Sequence, residues 1–127
     1  MAEVVLDASA LLALLNDEPG ADIVASVLAA SAISTLNLSE VVGKLADVGM
    51  PATAIREALR DFPLEVVPFD EEQAYEAGLM RPATKGAGLS LGDRACLSLA
   101  HRLGLPALTT DRNWKHLQVD VKVSIIR

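Results

Sequence analysis

The stretch VVLDASALLALL, residues 4–15, is apolar throughout except for Asp7 and Ser9. An unpaired carboxylate is expensive to bury. A chain that sets one inside its most apolar run must therefore fold so that Asp7 meets a partner. A short strand over Glu3–Leu6, followed at once by a helix over Ser9–Leu15, achieves this. The acid then stands at the carboxyl end of a strand, where an α/β sheet opens onto its ligand crevice.

The rest of the chain repeats that alternation. Short aliphatic or β-branched runs at Ala32–Thr35, Leu64–Val67, Ala107–Thr109 and Val121–Ile125 read as strands. Helical patterns lie between them. One is expected over Ala21–Ala30, after the Asp17-Glu18-Pro19-Gly20 turn. Leu38, Val41, Val42 and Leu45 mark another over Leu38–Val48, with Asn37 as its N-cap. Pro51 opens the next, whose buried stripe is Ile55, Leu59 and Phe62, and Pro63 stops it. Glu71–Met80 and Leu91–Leu103 complete the set, the second ending at Gly104. Between them RPATKGAGLS, residues 81–90, reads as an exposed, mobile loop. The pattern predicts an α/β protein with a short, mostly parallel central sheet flanked by helices. With 127 residues and no repeat or linker, a single domain over 1–127 is expected.

Composition removes several classes of function. A hydrophobic fraction of 51% with 22% charged residues belongs to a globular chain and excludes disorder. Glu3 stands where a signal peptide carries basic residues, and no apolar run is long enough to span a bilayer, so a cytoplasmic protein without membrane contact is expected. The net charge of −6 argues against a broad basic face for nucleic acid. Any such chemistry has to be local and metal-assisted. Cys96, the only cysteine, lies among Ala95, Leu97 and Leu99 and reads as a core thiol, and His101 and His116 lack a zinc-ligand pattern.

Four acids share one kind of position: Asp7 and Asp111 end strands, while Glu40 and Asp93 lie in first turns of helices. Each has a plain structural explanation. Asn37-x-x-Glu40 and Ser90-x-x-Asp93 resemble capping boxes, Asp7 and Asp111 can cap the helices that follow them, and Glu40 can pair with Lys44 one turn on. Together the acids suggest more, because strand ends and helix starts of a parallel sheet converge on the crevice at its topological switch point. Four carboxylates there require a cation, and Mg²⁺ or Mn²⁺ suits carboxylate and water ligands. Hydroxyls at Ser9, Thr109 and Thr110 are placed to orient the acids. An acidic pocket also needs nearby cations to dock a phosphate, for which Lys44, Arg81, Lys85, Arg94, Arg112 and Lys115 are available. Arg94 and Arg112 each directly follow a pocket acid. Trp114 either stacks on a base or packs its short helix against the sheet.

LDASALLALL, NDEPG, STLNLSEV, GLSLGDRACLSLA and LTTDRNW, in this order and spacing, resemble the PIN-domain ribonucleases, specifically the VapC toxins of toxin–antitoxin pairs. The resemblance covers nearly the whole chain. It implies a PIN-like fold and a Mg²⁺- or Mn²⁺-dependent endoribonuclease whose acidic pocket maps onto Asp7, Glu40, Asp93 and Asp111. Asp7 and Asp93 are its expected metal ligands, and Ser9 and Thr110 its expected supports. It also implies a homodimer, an RNA substrate and a VapB-type antitoxin lying across the toxin's groove. Two alternatives stay open: a PIN nuclease of RNA processing that is not a toxin, and a metal-binding phospho-receiver-like module. The receiver would use Asp70 and Lys122 and leave Glu40 and Asp93 without a role.

Overall fold

The computed structural model describes residues 1–127. Five parallel strands, β1 (Val4–Leu6), β2 (Ser31–Ser34), β3 (Glu65–Val67), β4 (Ala107–Thr109) and β5 (Val123–Ile125), form one sheet in the order β3-β2-β1-β4-β5. Seven helices flank it: α1 (Ala8–Leu15), α2 (Ala21–Val27), α3 (Thr35–Asp47), α4 (Ala52–Arg60), α5 (Glu71–Leu79), α6 (Arg81–Thr84) and α7 (Leu91–Leu103). This is the expected α/β architecture. From β1 the chain winds to one side through β2 and β3, then returns to add β4 and β5 on the other. The switch point therefore lies between β1 and β4.

The pleat of the strands sorts the core onto two faces. Leu6, Ile33 and Leu108 pack with Leu11, Val24, Val41, Leu45 and Ile55 of α1 to α4. Their neighbours Val5, Ala32 and Ala107 face the other way, onto Cys96, Leu97, Leu99 and Ala100 of α7 and onto Trp114. Cys96 is a buried free thiol, as expected. Trp114 is 1% exposed and packs against the sheet, which settles its role as core. No helix is long and apolar enough to cross a membrane.

Several element boundaries differ from the sequence expectation. β2 begins at Ser31 and ends at Ser34, and Thr35 is already helical. Ser34 Oγ accepts the Leu36 N–H at 3.2 Å and caps α3, so Asn37 lies within the helix rather than capping it. Pro51 occupies the cap position of α4, just outside it. The final turn of the segment Ala21–Ala30 tightens into a 3₁₀ turn over Leu28–Ala30. Residues 81–90 form α6 and a 3₁₀ turn (Lys85–Ala87). Pro82 is tolerated there because the first turn of a helix needs no N–H from it. Thr84 and Leu89 from this segment are buried, and only its remaining side chains, including Arg81 and Lys85, face solvent. At the chain end, Gly20 (φ +99°) meets the backbone of Ile126, where an added Cβ would lie 2.9 Å from the Ile126 carbonyl oxygen. Arg127 Nε donates to the Pro19 carbonyl at 3.0 Å, tying the last residue to the same turn.

Candidate active site

β1 and β4 lie side by side in parallel with Leu6 opposite Leu108, so the next pair at the carboxyl edge is Asp7 and Thr109. Asp7 is 3% exposed. Its Oδ1 accepts the Ala10 N–H at 2.8 Å and the Ser9 hydroxyl at 2.7 Å, and its Oδ2 accepts the Thr109 hydroxyl at 2.6 Å. Asp7 is thus the N-cap of α1 and a buried carboxylate at the switch point at once. Burial pushes its pKa up to about 6 against the opposing pull of Thr109, Ser9 and Ala10, and the charge of Asp93 adds to the rise.

The supporting hydroxyls form a closed net. Ser9 Oγ accepts the Thr110 N–H at 3.0 Å, and Thr109 Oγ1 accepts the Asp111 N–H at 3.0 Å. Thr110 therefore contributes its backbone, and the side chain that grips Asp7 belongs to Thr109. Asp111 caps the short turn Arg112–Trp114 by accepting the Asn113 N–H at 2.9 Å.

Two helices bring the other acids. α3 begins directly after β2, and α7 runs antiparallel to the β4 strand it feeds, so both start at the carboxyl edge of the sheet. Asp93 closes the expected capping box: Ser90 Oγ accepts the Asp93 N–H at 3.2 Å, and Asp93 Oδ2 accepts the Ser90 N–H at 2.9 Å. Glu40 lies against Gly92, and a Cβ on Gly92 would fall 2.5 Å from the Glu40 carboxyl carbon. The side chain of Glu40 thus fills space left by a missing methyl next to Asp93. Burial raises the pKa of both acids; the charge of Asp93 raises Glu40 further, and that of Asp111 raises Asp93. Asp93 is thus the acid that couples to each of the other three.

No three Asp, Glu, His or Cys side chains stand close enough to enclose a metal ion. Mg²⁺ does not need that, since it takes one or two protein carboxylates and keeps several waters. Neither Asp7, Glu40, Asp93 nor Asp111 forms an ion pair with a Lys or Arg; Lys44 and Arg94 offset the charge of Glu40 and Asp93 only from a distance. Only one oxygen of Asp93 is taken by a protein donor. This oxygen-only donor set, without an ion pair, fits a hard divalent cation.

The candidate cations divide. Arg94 is 8% exposed and its Nη1 donates to the Ala77 carbonyl at 2.9 Å, so its guanidinium joins α7 to α5 instead of facing a phosphate. Arg112 is exposed, donating through Nε to the Arg127 carbonyl at 3.4 Å. Lys44, one turn after Glu40, lowers the pKa of that acid without closing an ion pair. It also lines a polar pocket of about 320 Å³ that reaches from Ser9 and Thr110 to Arg127. The receiver residues do not meet: β3 and β5 are opposite edges of the sheet, and Asp70 is held by Arg102 through two contacts of 3.0 Å. On the far side of α3, an apolar groove of about 630 Å³ runs between α3 and α4.

The family model of the PIN domain matches residues 4–120. The chain belongs to the PIN-domain family. No curated protein sequence matches this PIN domain. Among solved structures it is similar to VapBC from Salmonella typhimurium in its DNA-bound form, with a TM-score of 0.76 at 18% identity over 98% of both chains. VapC20 of Mycobacterium tuberculosis, described as a sarcin–ricin-loop-cleaving toxin, gives a TM-score of 0.76 at 18% identity over 94% of this chain and 99% of that one. FitAcB from Neisseria gonorrhoeae gives 0.70 at 21% identity over 94% and 95%. At these identities the likeness is one of fold.

Proposed function

We propose that this PIN domain is an endoribonuclease, dependent on Mg²⁺ or Mn²⁺, that serves as the toxin of a toxin–antitoxin pair. The observation that carries the reading is Asp7, a buried carboxylate held by Ser9, Thr109 and Ala10 at the switch point and repelled by Asp93, which in turn acts on Glu40 and is acted on by Asp111, with no ion pair to any of the four. Such an arrangement is costly to keep unless a cation is bound there.

In this reading Asp7 and Asp93 hold the ion, and the Glu40 carboxylate beside Asp93 adds to the affinity for it. When bound, the ion supplies a water of lowered pKa and charge stabilisation at phosphorus. Ser9 and Thr109 keep Asp7 in one rotamer. Glu40, partly exposed and with a raised pKa, is suited to take the proton of the attacking water. Asp111 supports the site through its charge and through the turn it caps. Lys44 and Arg112 meet the flanking phosphates, and the pocket beside Lys44 gives an adjoining nucleotide room.

A free nuclease would harm its host, which calls for an antitoxin. The apolar groove between α3 and α4 is lined by Leu38, Val42, Met50, Ile55 and Leu59, and its only charged lining residues are Arg56 and Arg60. An amphipathic antitoxin segment carrying acids beside its apolar face fits that lining. The solved VapBC structures it resembles, one of them described as a member of a family of toxin–antitoxin systems, support the same partner class. The reading also includes a homodimer, which light scattering of the purified protein checks.

The test is incubation of purified protein with labelled RNA in Mg²⁺, in Mn²⁺ and in chelator, beside Asp7→Asn and Asp93→Asn. Cleavage is expected only with metal, and a loss of orders of magnitude in both folded variants. Equal rates for parent and variants at saturating Mg²⁺ would show the site to be wrong. Arrest of growth on expression, relieved by Asp7→Asn, checks the toxin role separately.

A further inference from the structure

We infer that Asn37 is a positioning residue that sets the Glu40 carboxylate beside Asp93. The inference rests on the nuclease reading and adds to it a residue outside the acidic set. Asn37 lies three residues before Glu40, on the same face of α3, and is 1% exposed. Its Nδ2 donates to the Gly92 carbonyl at 2.9 Å and to Glu40 Oε1 at 3.2 Å. Both neighbours are acceptors, so the amide nitrogen has to face them and both of its hydrogens are used. Its Oδ1 is buried with no partner.

That unpaired oxygen is informative. A buried acceptor without a donor is destabilising, and a residue needed only for packing would be apolar or fully paired. What Asn37 supplies is its two donors. One grips the first turn of α7 a single residue before Asp93, and the other grips Glu40. The same amide thus couples the spacing of α3 and α7 to the direction of the Glu40 side chain. Gly92 completes the device, since the carboxylate that Asn37 holds occupies the space of the missing Cβ. A carboxylate at position 37 would repel both the Gly92 carbonyl and Glu40, so an isosteric Asp cannot replace the amide.

The experiment measures Mn²⁺ binding to the purified full chain by electron paramagnetic resonance and by calorimetry, alongside RNA cleavage. The variants are Asn37→Ala, Asn37→Asp, Glu40→Gln and the double variant Asn37→Ala/Glu40→Gln. Expected is a loss of Mn²⁺ affinity of about tenfold or more in Asn37→Ala and in Asn37→Asp, the size typical of groups that orient metal-binding side chains. In the Glu40→Gln background the Asn37→Ala effect should vanish, because Asn37 acts through Glu40. Additive losses, or parental affinity in either folded Asn37 variant, would overturn the inference. So would failure of both Asn37 variants to fold by circular dichroism, which would make residue 37 a packing requirement. If the parent itself neither binds Mn²⁺ nor cuts RNA, the nuclease reading fails and this inference with it. If the parent does both, Glu40→Gln weakens them, and Asn37→Ala changes neither, the inference alone fails.

Discussion

Asp7 accepts three hydrogen bonds and still titrates near pH 6, because burial outweighs them. A carboxyl whose pKa is higher folded than unfolded binds its proton more tightly in the folded chain. Stability contributed by that proton is present below about pH 4 and is lost as pH rises through about 6. The span between the ordinary value of 3.8 and about 6 corresponds to roughly 3 kcal/mol. Glu40 and Asp93, also raised, act in the same direction. Urea midpoints measured in chelator from pH 4 to 7.5 should therefore fall for the parent and fall much less for Asp7→Asn, which should match or exceed the parent above pH 6. Added Mg²⁺ should stabilise the parent by mass action and the variant less. A pure capping role predicts identical profiles, since Asn caps as well as Asp. Asp7, Asp93, Asp111 and Ser9 stand at the strand ends and helix start read from residue type and position, whereas Glu40, expected in a first turn, lies in the second turn of α3 because that helix starts at Thr35. Thr109 was not separable from Thr110, because the choice depends on the register of β1 against β4, and register joins residues too distant for local pattern to relate.

At the scale of elements, the α3–α7 contact depends on a glycine that local rules would replace. Alanine is better than glycine inside a helix by about 1 kcal/mol. Gly92→Ala should accordingly leave the melting temperature of the protein unchanged or higher, while the new methyl displaces Glu40. RNA cleavage is expected to drop by more than tenfold; thermal melts and initial rates on the same sample check the dissociation of stability from activity. The long, periodic helix α7 was legible to its ends, with Ser90 and Gly104 as its caps. The start of α3 was not. Ser34 and Asn37 are both good capping residues, and the decision fell to Ser34 because β2 ends there and pairing with β3 holds it extended. Residues 81–90 look like a loop by composition, yet burial of Thr84 and Leu89 folds them onto the core.

On the scale of the whole molecule, the apolar stripe of α4 does two jobs. Ile55 is buried, while Leu59 and Phe62 are half-buried and wall the groove beside Arg56 and Arg60. Periodicity shows that a helix face is apolar; it does not show what covers that face. Charge reversal at Arg56 and Arg60 should weaken the complex with an acidic antitoxin segment, read as loss of co-purification and as a faster off-rate. The acidic edge of the sheet has a different reach along the chain. The Thr109 hydroxyl that orients Asp7 lies 102 residues downstream of it. Translation from the N-terminus therefore delivers Asp7, Glu40 and Asp93 before the group that aims the first of them. If the nuclease reading holds, a chain that stops before β4 carries three of the four acids but no hydroxyl to aim Asp7, so the parts of the site arrive before the group that arms it.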